Sequence, residues 1–172
     1  MIFPFQPDSR SYAWSDKLKH PSYNLSKRNR TITKKTGFRS WGQILIDRPM
    51  ENGTHIWKVK IEKTSAMDYI GVCSHTDRLD QPMNHTCTYD FFAYHFNEEP
   101  RKCSRAGAEI YGKVCEVGDI IKCTVELKNG IGTLSFSVND EDFGVAFEDL
   151  KPPLYPFANL GVANDKITIL KQ

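Results

Sequence analysis

The stretch 118-GDIIKCTVELKNGIGTLSFSVNDEDFGVAF-147 decides the fold, because it carries the most regular hydrophobic pattern in the chain. Apolar and polar residues alternate through 120–127, and 133–138 repeats the alternation. A period of two places the apolar side chains on one face of a strand. The intervening 128-KNGIG-132 contains residues that tolerate positive φ, so the sequence predicts an antiparallel hairpin with one face on a core. A further strand is predicted at 143–147.

The same period recurs through the rest of the chain. Trp57, Val59 and Ile61 share one face of a predicted strand, and Trp57 and Phe136 are large enough to bridge two sheets about 10 Å apart. The remaining strand-like runs are 30–35, 43–46, 69–73, 91–96, 154–162 and 167–170. No amphipathic helix longer than about ten residues is apparent. The pattern predicts an all-β protein, a two-sheet antiparallel β-sandwich with about ten strands and little or no helix.

One long irregular segment, 74–90, interrupts this order of strands and turns. A connection of that length within a compact domain usually carries function. Gly118 and Gly144 precede strands, and we expect a side chain at either position to clash.

Composition places the chain among soluble globular domains. Its 172 residues are 40% hydrophobic and 26% charged, which is enough for one ordinary domain with a real core. No run approaches the ~18 apolar residues that a membrane-spanning helix needs. The five cysteines are odd in number and widely spaced, which favours reduced thiols and a cytoplasmic location. Asn-x-Ser/Thr sequons keep a secreted or lumenal location open, and they begin at Asn24, Asn29, Asn52 and Asn84.

The net charge of +2 hides an uneven distribution of charge along the chain. Residues 1–40 hold nine Lys or Arg and two Asp, whereas the remainder holds 14 basic and 19 acidic residues. A basic first quarter could contact nucleic acid or acidic lipid, but a solvated surface or packing against the acidic remainder is the favoured interpretation. The nearby aromatic residues Tyr12, Trp14 and Tyr23 do not alternate with the basic ones, as a stacking platform for nucleic acid would require.

Metal binding and catalysis find little support in the sequence. The region 75–103 contains three histidines and two cysteines, but only His85 and Cys87 are close, and a single residue separates them. There is no nucleophile elbow and no phosphate-binding loop, and the acidic 140-DED-142 lies in a predicted turn. We therefore predict a protein that is not an enzyme and that uses no metal, cofactor or small-molecule substrate.

Several short motifs in a fixed order carry a family resemblance. They are 53-GTHIW-57, 69-YIGV-72, 111-YG-112, 118-GDIIKC-123, 132-GTLSFS-137, 144-GVAF-147 and 154-LYP-156. In this order the chain resembles the SPRY domain family, and the likeness extends over about residues 20–172, because 23–33 is similar to the opening strand pair of such domains. Residues 1–19 are then an N-terminal extension. The resemblance implies a β-sandwich of jelly-roll or concanavalin-like architecture.

The resemblance also implies a function in protein–protein interaction. Members of the family present a face built from loops at one end of the sandwich to a partner peptide or domain, in some cases as the adaptor that recruits substrates for a larger protein. The corresponding residues here are Arg30, Thr31, Thr33 and Lys34; His75, Asp77, Arg78, Met83, Asn84 and Tyr89; and Val162, Ala163, Asn164 and Asp165. Tyr89 and Met83 are the expected apolar anchors. We expect a monomer that binds neither nucleic acid nor membrane.

Two other functions remain open at this stage. The SPRY sandwich is similar in architecture to concanavalin-type lectins, so a carbohydrate site using Asp77, Asp80 and Asn84 is one alternative. Contact with nucleic acid through the basic first quarter is the other. Some SPRY domains have Trp where this chain has Ala163, which argues against the acidic, asparagine-rich peptides that one adaptor subgroup prefers.

Overall fold

Two antiparallel β-sheets packed face to face form the protein. The computed structural model describes residues 12–36, 42–81, 83 and 90–172. The described residues form thirteen strands and no helix. In chain order the strands are β1 (Tyr23–Ser26), β2 (Thr31–Lys34), β3 (Ile44–Leu45), β4 (Gly53–Lys63), β5 (Tyr69–Cys73), β6 (Phe91–His95), β7 (Arg101–Ser104), β8 (Gly107–Ile110), β9 (Ile120–Lys128), β10 (Ile131–Val138), β11 (Glu141–Leu150), β12 (Tyr155–Asn159) and β13 (Lys166–Ile169).

The strands divide into a seven-stranded sheet and a six-stranded sheet. The seven-stranded sheet has the order β1-β2-β13-β4-β9-β10-β11, and the six-stranded sheet has the order β3-β12-β5-β6-β7-β8. Every strand pair in both sheets is antiparallel. The predicted all-β sandwich is confirmed. In the described part of the chain, no helix is long and apolar enough to cross a bilayer.

The hairpin that the opening stretch predicts is present. Strands β9 and β10 pair in continuous register from Lys128 opposite Ile131 to Ile121 opposite Val138. The two residues between them, Asn129 and Gly130, have φ of 55° and 75°. Positive φ at both central positions suits the right-handed twist of the flanking strands.

The reason for glycine at two strand entries differs from the predicted one. Gly118 has φ of 94° and Gly144 has φ of 78°, but a Cβ atom at either position would meet no other atom within 4 Å. The backbone conformation, and not a steric clash, favours glycine at these positions. Gly144 lies in β11 where the register with β10 shifts, which is how a β-bulge bends an edge strand.

The main core lies between the two sheets and is rich in aromatic side chains. Trp57 and Phe136 are both buried there, as predicted. The Tyr94 ring packs among the aromatic side chains of this core. Its centroid lies 5.3 Å from that of Phe136 and 5.8 Å from that of Tyr111. Rings tilted or edge-on at these separations interact favourably beyond the area that they bury.

A second apolar cluster covers the outer side of the six-stranded sheet. It includes Phe91 and Phe157, whose ring centroids are 4.9 Å apart. Leu79 and Met83, from the long connection between β5 and β6, pack against this cluster. The six-stranded sheet is therefore covered on both faces, and the described part of the long connection lies on it.

Strands β7 and β8 were not predicted. The sequence of β7 is RKCS, in which only Cys103 is buried, and β8 has no fully buried residue. The two strands form a hairpin at the edge of the six-stranded sheet. An edge strand need not alternate apolar and polar residues, because little of it faces a core.

Candidate functional site

One end of the sandwich combines the end of β2 with the loop between β12 and β13. The Lys34 backbone N–H donates to the Asp165 carbonyl at 3.0 Å, and the Asn164 N–H donates to the Lys34 carbonyl at 2.8 Å. Within the loop, the Asp165 N–H donates to the Val162 carbonyl at 3.1 Å. Asn164 has φ of 75°, a conformation that asparagine tolerates better than most residues. These bonds fix the loop against the sheet.

A pair of buried carboxyl groups lies under this loop. Asp68 precedes β5, Asp165 precedes β13, and both are fully buried. The two carboxyl groups are close enough for the charge of Asp165 to act on Asp68. Burial raises the pKa of Asp68 well above its ordinary value, and the neighbouring Asp165 charge raises it further.

Neighbouring loops donate hydrogen bonds to both carboxyls. Asp68 accepts from the Gly161 N–H at 2.9 Å and from Thr64 Oγ1 at 2.8 Å. Asp165 accepts from the backbone N–H of Ser65 at 3.2 Å and from its hydroxyl at 2.8 Å. The β4–β5 connection is thereby tied to the β12–β13 loop through side chains that water does not reach.

Lys34 points into the protein and continues the network. Its Nζ donates to Ser22 Oγ at 2.9 Å and lies 4.5 Å from the centroid of the Tyr23 ring. Ser22 Oγ is 2.7 Å from His20 Nδ1, which also accepts the Ser22 N–H at 3.1 Å. Nδ1 therefore carries no proton. This agrees with the pKa of His20, which burial lowers first and the Lys34 charge lowers further.

Opposite charges meet in this network. Burial raises the pKa of both Asp68 and Asp165. Burial lowers the pKa of Lys34 to about 8, while attraction to Asp68 opposes that shift. The attraction between the ammonium and Asp68 partly offsets the cost of burying these groups, as expected where buried charges are paired.

Above the network lies a surface that we call the end face, formed by Lys35, Asp80, Val162, Ala163 and Asn164. Lys35, Asp80 and Asn164 are exposed, and Val162 and Ala163 are half-buried. The Lys35 N–H donates to the Ser22 carbonyl at 2.7 Å. Asp80 acts electrostatically on His20, which links the long connection to the other two segments.

The long connection reaches this end through Gln43. The Gln43 N–H donates to the Leu79 carbonyl at 2.8 Å, and its side-chain amide donates to the Gln81 carbonyl at 2.8 Å. Three segments that are distant in sequence thus lie at one end of the sandwich. They are the end of β2, the described part of the long connection, and the β12–β13 loop.

Several residues predicted to contact a partner lie inside the protein. Thr31 is buried and shares a 2.8 Å hydrogen bond with Thr168. Lys34 and Asp165 belong to the buried network, and Met83 is 1% exposed within the second apolar cluster. In this structure their side chains offer no surface to a partner. They support the loops or the sheet, which corrects the expectation that Met83 is an anchor.

The other predicted residues divide between two ends of the protein. Thr33 is half-buried on the outer side of the seven-stranded sheet, and Arg30 is half-buried at the start of β2, at the far end from Lys34. Val162, Ala163 and Asn164 lie on the end face, and their contact with a partner stays a prediction. Asn84 and Tyr89 lie outside the described residues.

His75, Asp77 and Arg78 lie near the end of β5 that is opposite to Asp68. His75 Nε2 is 3.2 Å from Asp90, so the two side chains close the base of the long connection. Asp77 and Arg78 form a looser pair, with 3.9 Å between Nε and the carboxylate oxygen. These three residues therefore lie at the other end of β5 from the β12–β13 loop, whose Gly161 donates to Asp68.

Sequence reasoning missed three residues that organise the site, namely Asp68, His20 and Ser22. Each lies in a short irregular segment beside a strand, where a polar residue is expected to be solvated. A period of two reports on strand faces and carries no information about such positions. One feature of the sequence did point to Asp68, since this charged residue stands directly before the apolar strand that begins at Tyr69.

The described residues contain no group of three or more His, Cys, Asp or Glu side chains that could hold a metal ion. The four described cysteines are buried and form no disulfide among the described residues. Burial raises the pKa of Cys73 to about 12 and that of Cys115 to about 11, so both remain protonated thiols and poor nucleophiles at neutral pH.

Known proteins are similar to this chain in sequence. A family model described as SPRY domain matches residues 54–172. Ran-binding protein 10 of Danio rerio is 29% identical over 155 residues, which cover 86% of this chain and 25% of that protein. Ran-binding protein 9 of Homo sapiens is 28% identical over 159 residues, covering 86% of this chain and 21% of that protein. The chain thus spans about a quarter or less of the length of these curated relatives.

Solved structures agree in fold. The SPRY domain of human HERC1 superposes with a TM-score of 0.73, at 21% identity, over 91% of this chain and 96% of that one. The TRIM65 PSpry domain superposes with a TM-score of 0.70, at 15% identity, over 95% of this chain and 90% of that one. At these identities the likeness shows that the two-sheet architecture is shared.

Proposed function

Because this chain belongs to the SPRY domain family, whose members are protein-interaction modules, we propose that its own binding surface is the end face, which it presents to a peptide or domain of a partner protein. The observation that carries this proposal is the buried network of Asp68, Asp165 and Lys34 directly beneath the exposed loops. A binding loop that is held in one conformation loses little entropy when a partner binds.

The chemistry of the end face suits a modest interface. Val162 and Ala163 offer a small apolar centre, and Lys35, Asp80 and Asn164 surround it with charged and amide groups. In such interfaces the apolar centre provides most of the affinity, whereas peripheral charges steer the partner and set its orientation. The shallow, loop-built character favours an extended peptide or a protein loop over a small molecule.

The proposal extends to the context of the domain. The curated relatives are about four or more times longer than the part this chain matches, so in this proposal the domain recruits a partner for a larger protein. The names of the relatives record Ran binding by those proteins. Ran is therefore a defined candidate to include in a binding test, along with proteins captured from cells.

We expect the double variant Val162→Glu, Lys35→Glu to lose partner capture by at least about tenfold, because it places a charge in the apolar centre and reverses a charge at the rim. Affinity capture from a lysate of the source cells, read by quantitative mass spectrometry and with purified Ran as a defined probe, measures the loss. The melting temperature should stay within about 2 °C of wild type, since neither side chain is fully buried.

The matched control is Val145→Glu, Lys128→Glu, which makes the same chemical changes away from the end face. Val145 is 46% exposed on β11, and Lys128 is exposed at the hairpin turn of the opposite end. The control should keep wild-type capture. Equal loss of capture in both variants, or in neither, would contradict the assignment of the end face.

A further inference from the structure

The outer side of the seven-stranded sheet carries a second charged surface. The numbers of basic and acidic residues along the sequence do not reveal it. Alternation turns Trp57, Val59 and Ile61 inward, so the lysines between them face outward. Strand β9 does the same with Lys122. We call the resulting surface the basic face, and it consists of Lys58, Lys60, Lys122 and Lys166.

Strand pairing brings these lysines together. Lys58 lies directly opposite Lys122, and Lys60 lies opposite Thr168, two residues along β13 from Lys166. The four residues span three adjacent strands, β13, β4 and β9, which is about 10 Å at the usual spacing of strands. Residues 41–172 carry an excess of acidic residues overall, yet this part of their surface is basic.

Among the described residues, the lysines of the basic face form no ion pair, although Glu126 and Asp142 line the same surface hollow as Lys122. Ion pairs in the described part of the chain involve other side chains, such as Lys102 with Glu109 and Lys113 with Glu141. Like charges directly opposite on neighbouring strands are destabilising. Lys58 and Lys122 therefore cost the free protein stability, and an anionic partner would turn that repulsion into attraction.

We propose that the basic face binds an acidic segment of a partner protein. Ile56, which is 38% exposed, lies two residues from Lys58 on the same side of β4 and offers an apolar contact to a peptide side chain. Lysines present point charges that pair with single carboxylates. The surface is separate from the end face, so this proposal stands or falls independently of the proposed function.

Nucleic acid and membrane fit this surface less well. The outward residues of β4 and β9 include no aromatic ring on which bases could stack, and no arginine that could hold a phosphate in two-point contact. Glu62 and Glu126 also point outward at either end of the basic face. They limit the uninterrupted positive surface to a length that suits a few carboxylates.

The test measures binding of a fluorescein-labelled peptide of eight glutamates to the whole chain by fluorescence anisotropy at 20 mM NaCl. The variant Lys58→Gln, Lys122→Gln should weaken binding by at least about fivefold, and 200 mM NaCl should weaken wild-type binding similarly, because exposed charges are screened. The melting temperature of this variant at low salt should rise by about 1–3 °C, since the repulsion is relieved.

The control variant Lys128→Gln, Lys151→Gln removes the same charge from exposed positions elsewhere and should change peptide binding less than twofold. Parallel titrations use a twelve-nucleotide oligo-dT and vesicles of 30% phosphatidylserine in phosphatidylcholine. The proposal is overturned if both variants lose peptide binding equally or if neither loses it. It is also overturned if binding of oligo-dT or of vesicles depends on Lys58 and Lys122 as strongly as binding of the peptide does.

Discussion

Replacing Asp68 with alanine is expected to lower the free energy of unfolding by about 3–5 kcal/mol, because the change leaves buried donors and a buried charge without a partner. The Asp68 carboxyl accepts hydrogen bonds from Gly161 N–H, Thr64 Oγ1 and, at 3.1 Å, Asn97 Nδ2. It also lies beside the Asp165 carboxyl, whose charge raises the pKa of Asp68 further. Urea unfolding followed by tryptophan fluorescence measures the loss.

The exposed Asp80→Ala variant is the control, and it should change stability by less than about 0.5 kcal/mol.

A pH series gives a readout specific to the carboxyl pair. The raised pKa of Asp68 means that the folded protein keeps a proton that the unfolded chain releases near pH 4. That contribution is fully present below pH about 4 and is lost as pH rises through the raised pKa. Asp68→Ala should reduce this dependence, and a loss under about 1 kcal/mol with an unchanged pH profile would contradict the network.

The second large effect is expected from Trp57→Ala, which should cost about 3–5 kcal/mol, because a fully buried indole leaves a cavity between the sheets. Trp57 is 0% exposed, and its ring centroid lies 6.1 Å from that of Tyr12. The loss is measured by urea unfolding followed by far-ultraviolet circular dichroism, since the substitution removes a fluorophore.

Trp57→Phe serves as the comparison, because it keeps a ring in the core and should cost clearly less than the alanine variant. Ile56→Ala provides the control on the same strand, since Ile56 points outward and is 38% exposed. Equal losses in Trp57→Ala and Ile56→Ala would mean that the predicted inward face of β4 is wrong.

The sequence was sufficient to predict the β-sandwich, because a strand with one solvent-exposed face alternates apolar and polar residues. That alternation can be read directly from the sequence. Strands β9 and β10 were predicted nearly to their ends, and Trp57 was assigned to the core from its position in one such run. Strands β7 and β8 were missed because an edge hairpin has little core contact and so little alternation.

The site was harder to predict, since burial of a polar residue depends on contacts that are distant in sequence. Lys34 ends a strand and would be expected on the surface, yet it is fully buried. Its ammonium donates to Ser22 Oγ and is attracted by the charge of Asp68. Met83 was expected in a loop, but the described part of the long connection packs on the six-stranded sheet. Three segments were predicted to form one end of the sandwich. Of the residues predicted there, 162–164 are exposed or half-buried at that end.

Site-specific photo-cross-linking tests the central claim most directly. A benzophenone amino acid is placed at Val162 on the end face and, separately, at Val145 on β11, and each protein is irradiated with a partner obtained by affinity capture. The account predicts a covalent adduct from position 162, with the partner cross-linked through one contiguous segment, and little or none from position 145. Adducts from position 145 with none from position 162 would contradict it.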